Sequence, residues 1–290
     1  MKLRSFGECA LGACVLIALL TLPSYAAAQD DTGRYAWENA TELSFVSTGG
    51  NASSSTLGLK SSLIGTGGLN TFKLGVGGIR GETTFRTRRA TGTATAFNVS
   101  ETTNSELTAE NYFVRGRYDR AFSTAYVFSG AGWDRNTFAG VQNRYALVAG
   151  LGKTWTDTET SRLKTDLGAT YTIQKDVDPA PGADDGFGGA RLSVDAMRKV
   201  SETADFTSAL VVDQNVEDTD DLRADWINSL TMSLSERLAL KTSIQLLYDK
   251  QPSLLGVPLF SAGGVDTGTS VLTPGDKVDN IVTLTLVIKM

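Results

Sequence analysis

The sequence predicts an all-β protein: a closed antiparallel transmembrane β-barrel of about twelve strands, ten to fourteen fitting the pattern, with both termini periplasmic. Three observations carry this. Segments of about ten residues place apolar side chains at alternate positions, as a wall between lipid and lumen requires. The connections are alternately short and long, so one rim carries all the large loops. Past the first thirty residues, no apolar run is long enough for a membrane helix.

The chain opens with an export signal. Lys2 and Arg4 precede an apolar stretch ending near Leu22, and Ala26, Ala27 and Ala28 follow, so cleavage is expected after Ala28. Leu11-Gly12-Ala13-Cys14 imitates a lipoprotein site, but most of the apolar run follows Cys14 and would stay in the product, so that reading is set aside. Residues 1–28 are then a signal peptide, 29–34 a short periplasmic segment and 35–290 the barrel.

Five strands alternate cleanly. From 145 to 155, Tyr145, Leu147, Ala149, Leu151 and Trp155 share one face, against Ala146, Val148, Gly150, Gly152 and Thr154. From 163 to 173, Leu163, Leu167, Ala169, Tyr171 and Ile173 oppose Lys164, Asp166, Gly168, Thr170 and Thr172. Three further segments, at 222–234, 238–248 and 278–290, repeat the pattern, each long enough to cross a bilayer at a tilt. Weaker alternation marks strands at 35–47, 56–64, 71–85, 106–118, 125–133, 190–200 and 205–213.

With a periplasmic amino terminus, the three longest connections, 86–105, 174–187 and 250–276, all fall outside the cell. The inner ones, 65–70, 119–124, 157–162, 201–204 and 235–237, are short and polar. An even strand number returns the carboxyl terminus to the periplasm.

Composition narrows the chemistry. Both cysteines, Cys9 and Cys14, lie in the signal, so the exported chain has no disulfide, thiol nucleophile or thiolate metal site. Its 27 basic and 32 acidic residues become 25 and 31 without Lys2, Arg4 and Glu8, a formal charge of −6 that argues against nucleic acid as a partner. There is no histidine, which removes Ser-His and His-Asp hydrolytic machinery and the commonest transition-metal ligand.

An ordered set of motifs resembles the YdiY-like family of salt-induced outer membrane proteins, a domain of unknown function. It runs from Trp37, Glu42-Leu43-Ser44 and Ser47-Thr48-Gly49-Gly50-Asn51 through Arg115-Gly116-Arg117-Tyr118-Asp119, Asp134 to Gly140, Arg144 and Gly150-Leu151-Gly152. It ends with Asn228-Ser229-Leu230, Leu238 to Lys241, Tyr248 to Pro252 and Lys277-Val278-Asp279. The resemblance implies an outer-membrane location and a link to osmotic stress, and brings no catalytic or binding residues. The chain departs from such barrels at its last residue, Met290, where they usually carry an aromatic side chain for the insertion machinery.

Candidate site residues follow from strand parity. Lys164, Asp166, Arg191, Asp195, Arg223, Asp225 and Lys241 share the polar face, as do Lys199, Asp205 and Asp213. Paired carboxylates could make a general acid if buried, but mixed charges in a wet lumen solvate one another, and that simpler reading is preferred. Trp37, Tyr145, Trp155, Tyr171, Trp226 and Tyr248 share the oily parity near strand ends, as in an aromatic girdle. Asp176, Asp178, Asp184 and Asp185, and Glu217, Asp218, Asp220 and Asp221, make acidic outer loops without calcium-loop spacing; solvated loops are expected. Arg86, Arg88 and Arg89 open the early outer loop, placed to meet phosphates of the outer leaflet or simply solvent. Gly75, Gly77, Gly78, Gly130 and Gly132 read as curvature points, since no helix follows them to make a phosphate site.

No catalytic residue, metal or cofactor is expected. The partners expected are outer-membrane lipid, lipopolysaccharide and, during insertion, the barrel-assembly machinery. Three functions stay open: a narrow passive channel for ions or small polar solutes, a plugged structural or stress-response barrel, and a histidine-independent envelope enzyme. Twelve strands lie between the filled eight-stranded and conducting sixteen-stranded barrels. A soluble β-sandwich is the rival fold, since alternation also builds sandwiches.

Overall fold

The computed structural model describes residues 35–48, 52–93, 96–179, 186–262 and 264–290. The proposed signal and the segment before Tyr35 lie outside the described residues, as do Ala183, Asp184 and Asp185. Residues Tyr35–Met290 form one compact unit.

The twelve expected strands all form, and they close into one antiparallel barrel. They are β1 (Ala36–Thr48), β2 (Ala52–Gly67), β3 (Asn70–Thr93), β4 (Ala96–Phe122), β5 (Ala125–Asn136), β6 (Val141–Asp157), β7 (Ser161–Asp176), β8 (Gly186–Lys199), β9 (Ala204–Asn215), β10 (Leu222–Ser233), β11 (Leu238–Asp249) and β14 (Val278–Lys289). Each pairs with its sequence neighbour except at two places, where β11 pairs directly with β14 and β14 closes the ring on β1. The intervening β12 (Leu254–Phe260) and β13 (Asp266–Pro274) form a separate two-stranded hairpin. A closed sheet leaves no stack of two sheets, so the sandwich alternative is overturned.

Two of the long connections differ from expectation. Residues 86–93 and 96–105 are not loop: the β3–β4 pairing continues to Thr93 opposite Ala96, so the ladder extends well past its neighbours. Arg86, Arg88 and Arg89 therefore sit in strand, opposite Thr103, Glu101 and Ser100. The segment is polar on both faces, so it lacks the alternation that reveals a half-buried strand, while its β-branched threonines favour extended backbone. The second case is 250–276, which folds into the β12–β13 hairpin.

Packing is inverted relative to a soluble protein. Among the described residues, buried apolar side chains number five and buried polar or charged ones nine, while Leu151, Leu167, Val282 and Leu284 are each more than 60% exposed. Such an exterior covers far more apolar surface than a soluble monomer tolerates. Trp37 and Trp155 stand at the rim that holds the chain ends, the terminal rim; Tyr145, Tyr171, Trp226 and Tyr248 stand at the opposite, hairpin rim. Tyr145 and Trp155 are ten residues apart on β6. At about 3.3 Å per residue and a tilt of about 40°, they lie about 25 Å apart along the barrel axis, the height of a lipid-facing band.

Closure rests on a short seam. β1 and β14 share the register Ala40 to Leu43 against Lys289 to Leu286, extended by reciprocal backbone bonds of 3.0 and 2.9 Å between Asn39 and Met290. The terminal residue is thus bound into the wall through its backbone while its side chain faces outward.

Candidate functional site: the charged lumen

Alternation turns one residue in two inward, so charged side chains from every part of the chain converge on the lumen. Near the terminal rim they form a closed network. Arg117 on β4 bonds Asp119 at 2.5 Å and reaches Asp166 on β7 at 2.6 Å, passing in front of β5 and β6. Lys73 adds a 3.1 Å pair to Asp119, and Tyr126 donates its hydroxyl to Asp166, which is only 4% exposed. The Arg117 guanidinium also lies 4.1 Å from the centre of the Phe128 ring. Glycine makes room for this cluster, because a Cβ at Gly152 would stand 2.2 Å from the Tyr126 ring and 2.5 Å from Asp166. Two cations and two carboxylates leave the network neutral.

Half-way up, Lys241 on β11 bonds Glu42 on β1 at 2.8 Å across β14, and Asp225 accepts 2.8 Å from the Gln245 amide. Arg115 has different surroundings. It faces inward between Gly75 and Gly132, which offer no side chains on the flanking strands; its side chain is 58% exposed, 3.5 Å from Asp134, with its guanidinium 5.1 Å from the centre of the Phe113 ring. Its guanidinium is open to the lumen.

Towards the hairpin rim, Arg191 grips Asp213 through two bonds of 2.6 and 2.7 Å, and Arg223 grips Asp221 through two of 2.8 and 2.5 Å. Two parallel N–H···O bonds fix guanidinium and carboxylate as a plane. Gln174 bridges Arg144 at 2.7 Å and Arg223 at 3.3 Å, and Phe187 lies under Arg223 with its ring centre 4.9 Å away.

The parity-derived residues are therefore inside, but they do not form one site. Asp166 belongs to the terminal-rim network, Asp225 and Lys241 to the middle, and Arg191 and Arg223 to the hairpin side. Lys164 and Asp195 face each other in register and form no ion pair among the described residues. Glu42, Lys60, Arg115, Arg117 and Arg144 were missing from the sequence-derived set. Their signal was present in Arg115, Arg117 and Asp119 alternating with Val114, Gly116 and Tyr118, but Phe113 on the polar face and Gly116 on the oily one hid which side was oily.

The described acidic residues of the hairpin-rim loops are engaged by protein groups. Glu217 accepts from the Gly188 amide, Asp218 from the Asp220 amide, Asp221 from Arg223 and Asn215, and Asp178 from the Gly256 amide of the hairpin. Lys250 bonds Asp220 at 2.7 Å; that bond holds the Asp220 carboxyl below the usual range and the Lys250 ammonium above it. Tyr126 faces inward and Tyr112 outward, so tyrosines make no sugar-stacking track.

Comparison with solved structures finds other barrels. The "NanC porin" shares 13% identity, with 87% of this chain and 98% of that one covered and a TM-score of 0.44. The translocator domain of the autotransporter NalP from Neisseria meningitidis shares 10%, with 96% of each chain covered and a TM-score of 0.42. The "anion-selective porin from Comamonas acidovorans" shares 11%, with 89% and 100% covered and a TM-score of 0.37. These scores are too low to transfer any property. No curated protein matches the sequence. The profile of a family described as "Protein of unknown function, DUF481" matches residues 41–256, well over half of the sequence, and the chain belongs to that family.

Proposed function

We propose that this barrel spans the outer membrane of a Gram-negative bacterium, exported by a cleaved signal peptide, with its terminal rim in the periplasm, and gives ions or small polar solutes a narrow passive route. The observation that carries the reading is Arg115, inward-facing, flanked by Gly75 and Gly132, and 58% exposed. A hydrated charge at that depth fits a wet lumen, and the apolar exterior fits lipid. The outer-membrane lipids and the assembly machinery are the partners of such a barrel. The osmotic-stress link implied by the family resemblance is compatible with a solute route, and no catalytic step is assigned.

A second reading, a barrel closed to solutes, is favoured by the Arg117–Asp166 bond spanning three strand positions at the terminal rim. Purified protein in a planar bilayer separates the two. The first reading expects discrete, stable current steps; a silent membrane containing folded, heat-modifiable protein supports the second and rejects the first.

A further inference from the structure

We infer that the lumen favours small zwitterionic solutes, holding their carboxylate against Arg115 and Lys60 and their ammonium against Asp225; this rests on the passage proposed above. Most of the lumen charges cancel at short range. Arg117, Lys73, Asp119 and Asp166 neutralise one another, as do Lys241 with Glu42, Arg191 with Asp213 and Arg223 with Asp221. Tight pairs project little field beyond their own dimensions.

Of the charges left over, Lys164 and Asp195 face each other in register, Asp249 faces Arg223, and Arg144 is tied to Arg223 through Gln174. Lys60, on β2, forms no ion pair among the described residues, and Arg115, on β4, touches Asp134 only at 3.5 Å. Asp225, on β10, is held by the Gln245 amide and by no cation among the described residues. In the closed ring of twelve strands β10 stands opposite β4, so Arg115 and Asp225 lie on opposite sides of the lumen. They act on each other across it, since Arg115 and Lys60 are the cations felt by Asp225. This tier therefore carries a field perpendicular to the route.

A field across the route does little to select an ion of either sign, because attraction to one wall is matched by repulsion from the other. A solute carrying both charges gains at both walls when its dipole turns along the field. Neutral solutes of the same size gain nothing comparable. In a confined lumen, where the effective dielectric constant falls below that of bulk water, such contacts are strong enough to matter after partial cancellation.

The test is swelling of proteoliposomes in isotonic serine and in isotonic erythritol, with the full exported chain and the variant R115Q/K60Q/D225N. The serine-to-erythritol rate ratio should fall about threefold or more in the variant, while the erythritol rate stays within about twofold. An unchanged ratio, with erythritol entering both, overturns the zwitterion inference and leaves the passage intact. No swelling in either solute with folded protein overturns the passage reading itself. Should the triple variant give no heat-modifiable band, R115Q and D225N singly carry the same test, each lowering the ratio if the inference holds and leaving it unchanged if not.

Discussion

Arg117 and Asp166 join two strands that are not neighbours: the guanidinium on β4 lies 2.6 Å from the carboxylate on β7, with β5 and β6 between them. Side-chain bonds of this reach brace a barrel in a way the backbone ladder cannot, since each ladder links adjacent strands only. Asp166→Asn removes the charge that Arg117 and Tyr126 both engage, and leaves a half-buried guanidinium without it. The expected loss is about 3 kcal/mol, against about 1 kcal/mol for Tyr126→Phe, which deletes one hydrogen bond. Urea unfolding in lipid vesicles, followed by tryptophan fluorescence, checks the order; a larger loss for Tyr126→Phe would assign the brace to the tyrosine.

Glycine sets how closely the β6–β7 pair approaches. A Cβ at Gly150 would fall 2.2 Å from the Leu167 carbonyl oxygen and 2.5 Å from the Gly168 Cα, both backbone atoms that cannot rotate away. Gly116 has nothing nearer than the Ala131 carbonyl at 4.0 Å. Gly150→Ala is therefore expected to cost about 2 kcal/mol or more and to weaken the heat-modifiable band, while Gly116→Ala folds normally. Equal bands for the two variants would show that the pair relaxes freely.

The orientation is checked by single cysteines in a chain whose native two lie in the proposed signal. Gly264 is a poor labelling site, because its φ of +75° strains any L side chain. Ser270, exposed on β13, marks the hairpin rim, and Thr203 marks the β8–β9 turn at the terminal rim. A membrane-impermeant thiol reagent should reach Ser270→Cys on intact cells and not Thr203→Cys. The reverse pattern would invert the barrel.

The sequence showed most of the wall and less of the lumen. Strands such as Leu163 to Ile173, with large apolar residues on one face and polar ones on the other, were legible because lipid and water demand opposite side chains at successive positions. On β4, Phe113 shares the face of Arg115 and Arg117 while Gly116 lies on the oily one, so parity, and with it the inward placing of the two arginines, was ambiguous. The β3–β4 extension beyond Phe85 was missed for the complementary reason: with polar residues on both faces, no burial pattern exists to read. Pairing partners such as Glu42 for Lys241 depend on strand order around the closed seam, which local alternation does not encode.

Partnered and unpartnered lumen charges should differ in what their removal does. Lys241→Gln leaves Glu42 without its 2.8 Å partner, so both stability and reversal potential change, the latter towards cations. Glu42→Gln should shift it towards anions, and the double variant should return most of the lost stability, with a coupling of about 1 kcal/mol. Additive losses in the double variant would mean the pair contributes nothing to the fold.

The central claim, a water-filled route past Arg115, is tested most directly by single-channel recording of Arg115→Cys before and after a bulky methanethiosulfonate reagent. The account predicts steady current steps from the unmodified channel that fall by half or more when the reagent is added, with no change in a cysteine-free control. Current that persists at full amplitude after complete modification, or folded protein that never conducts, would contradict it.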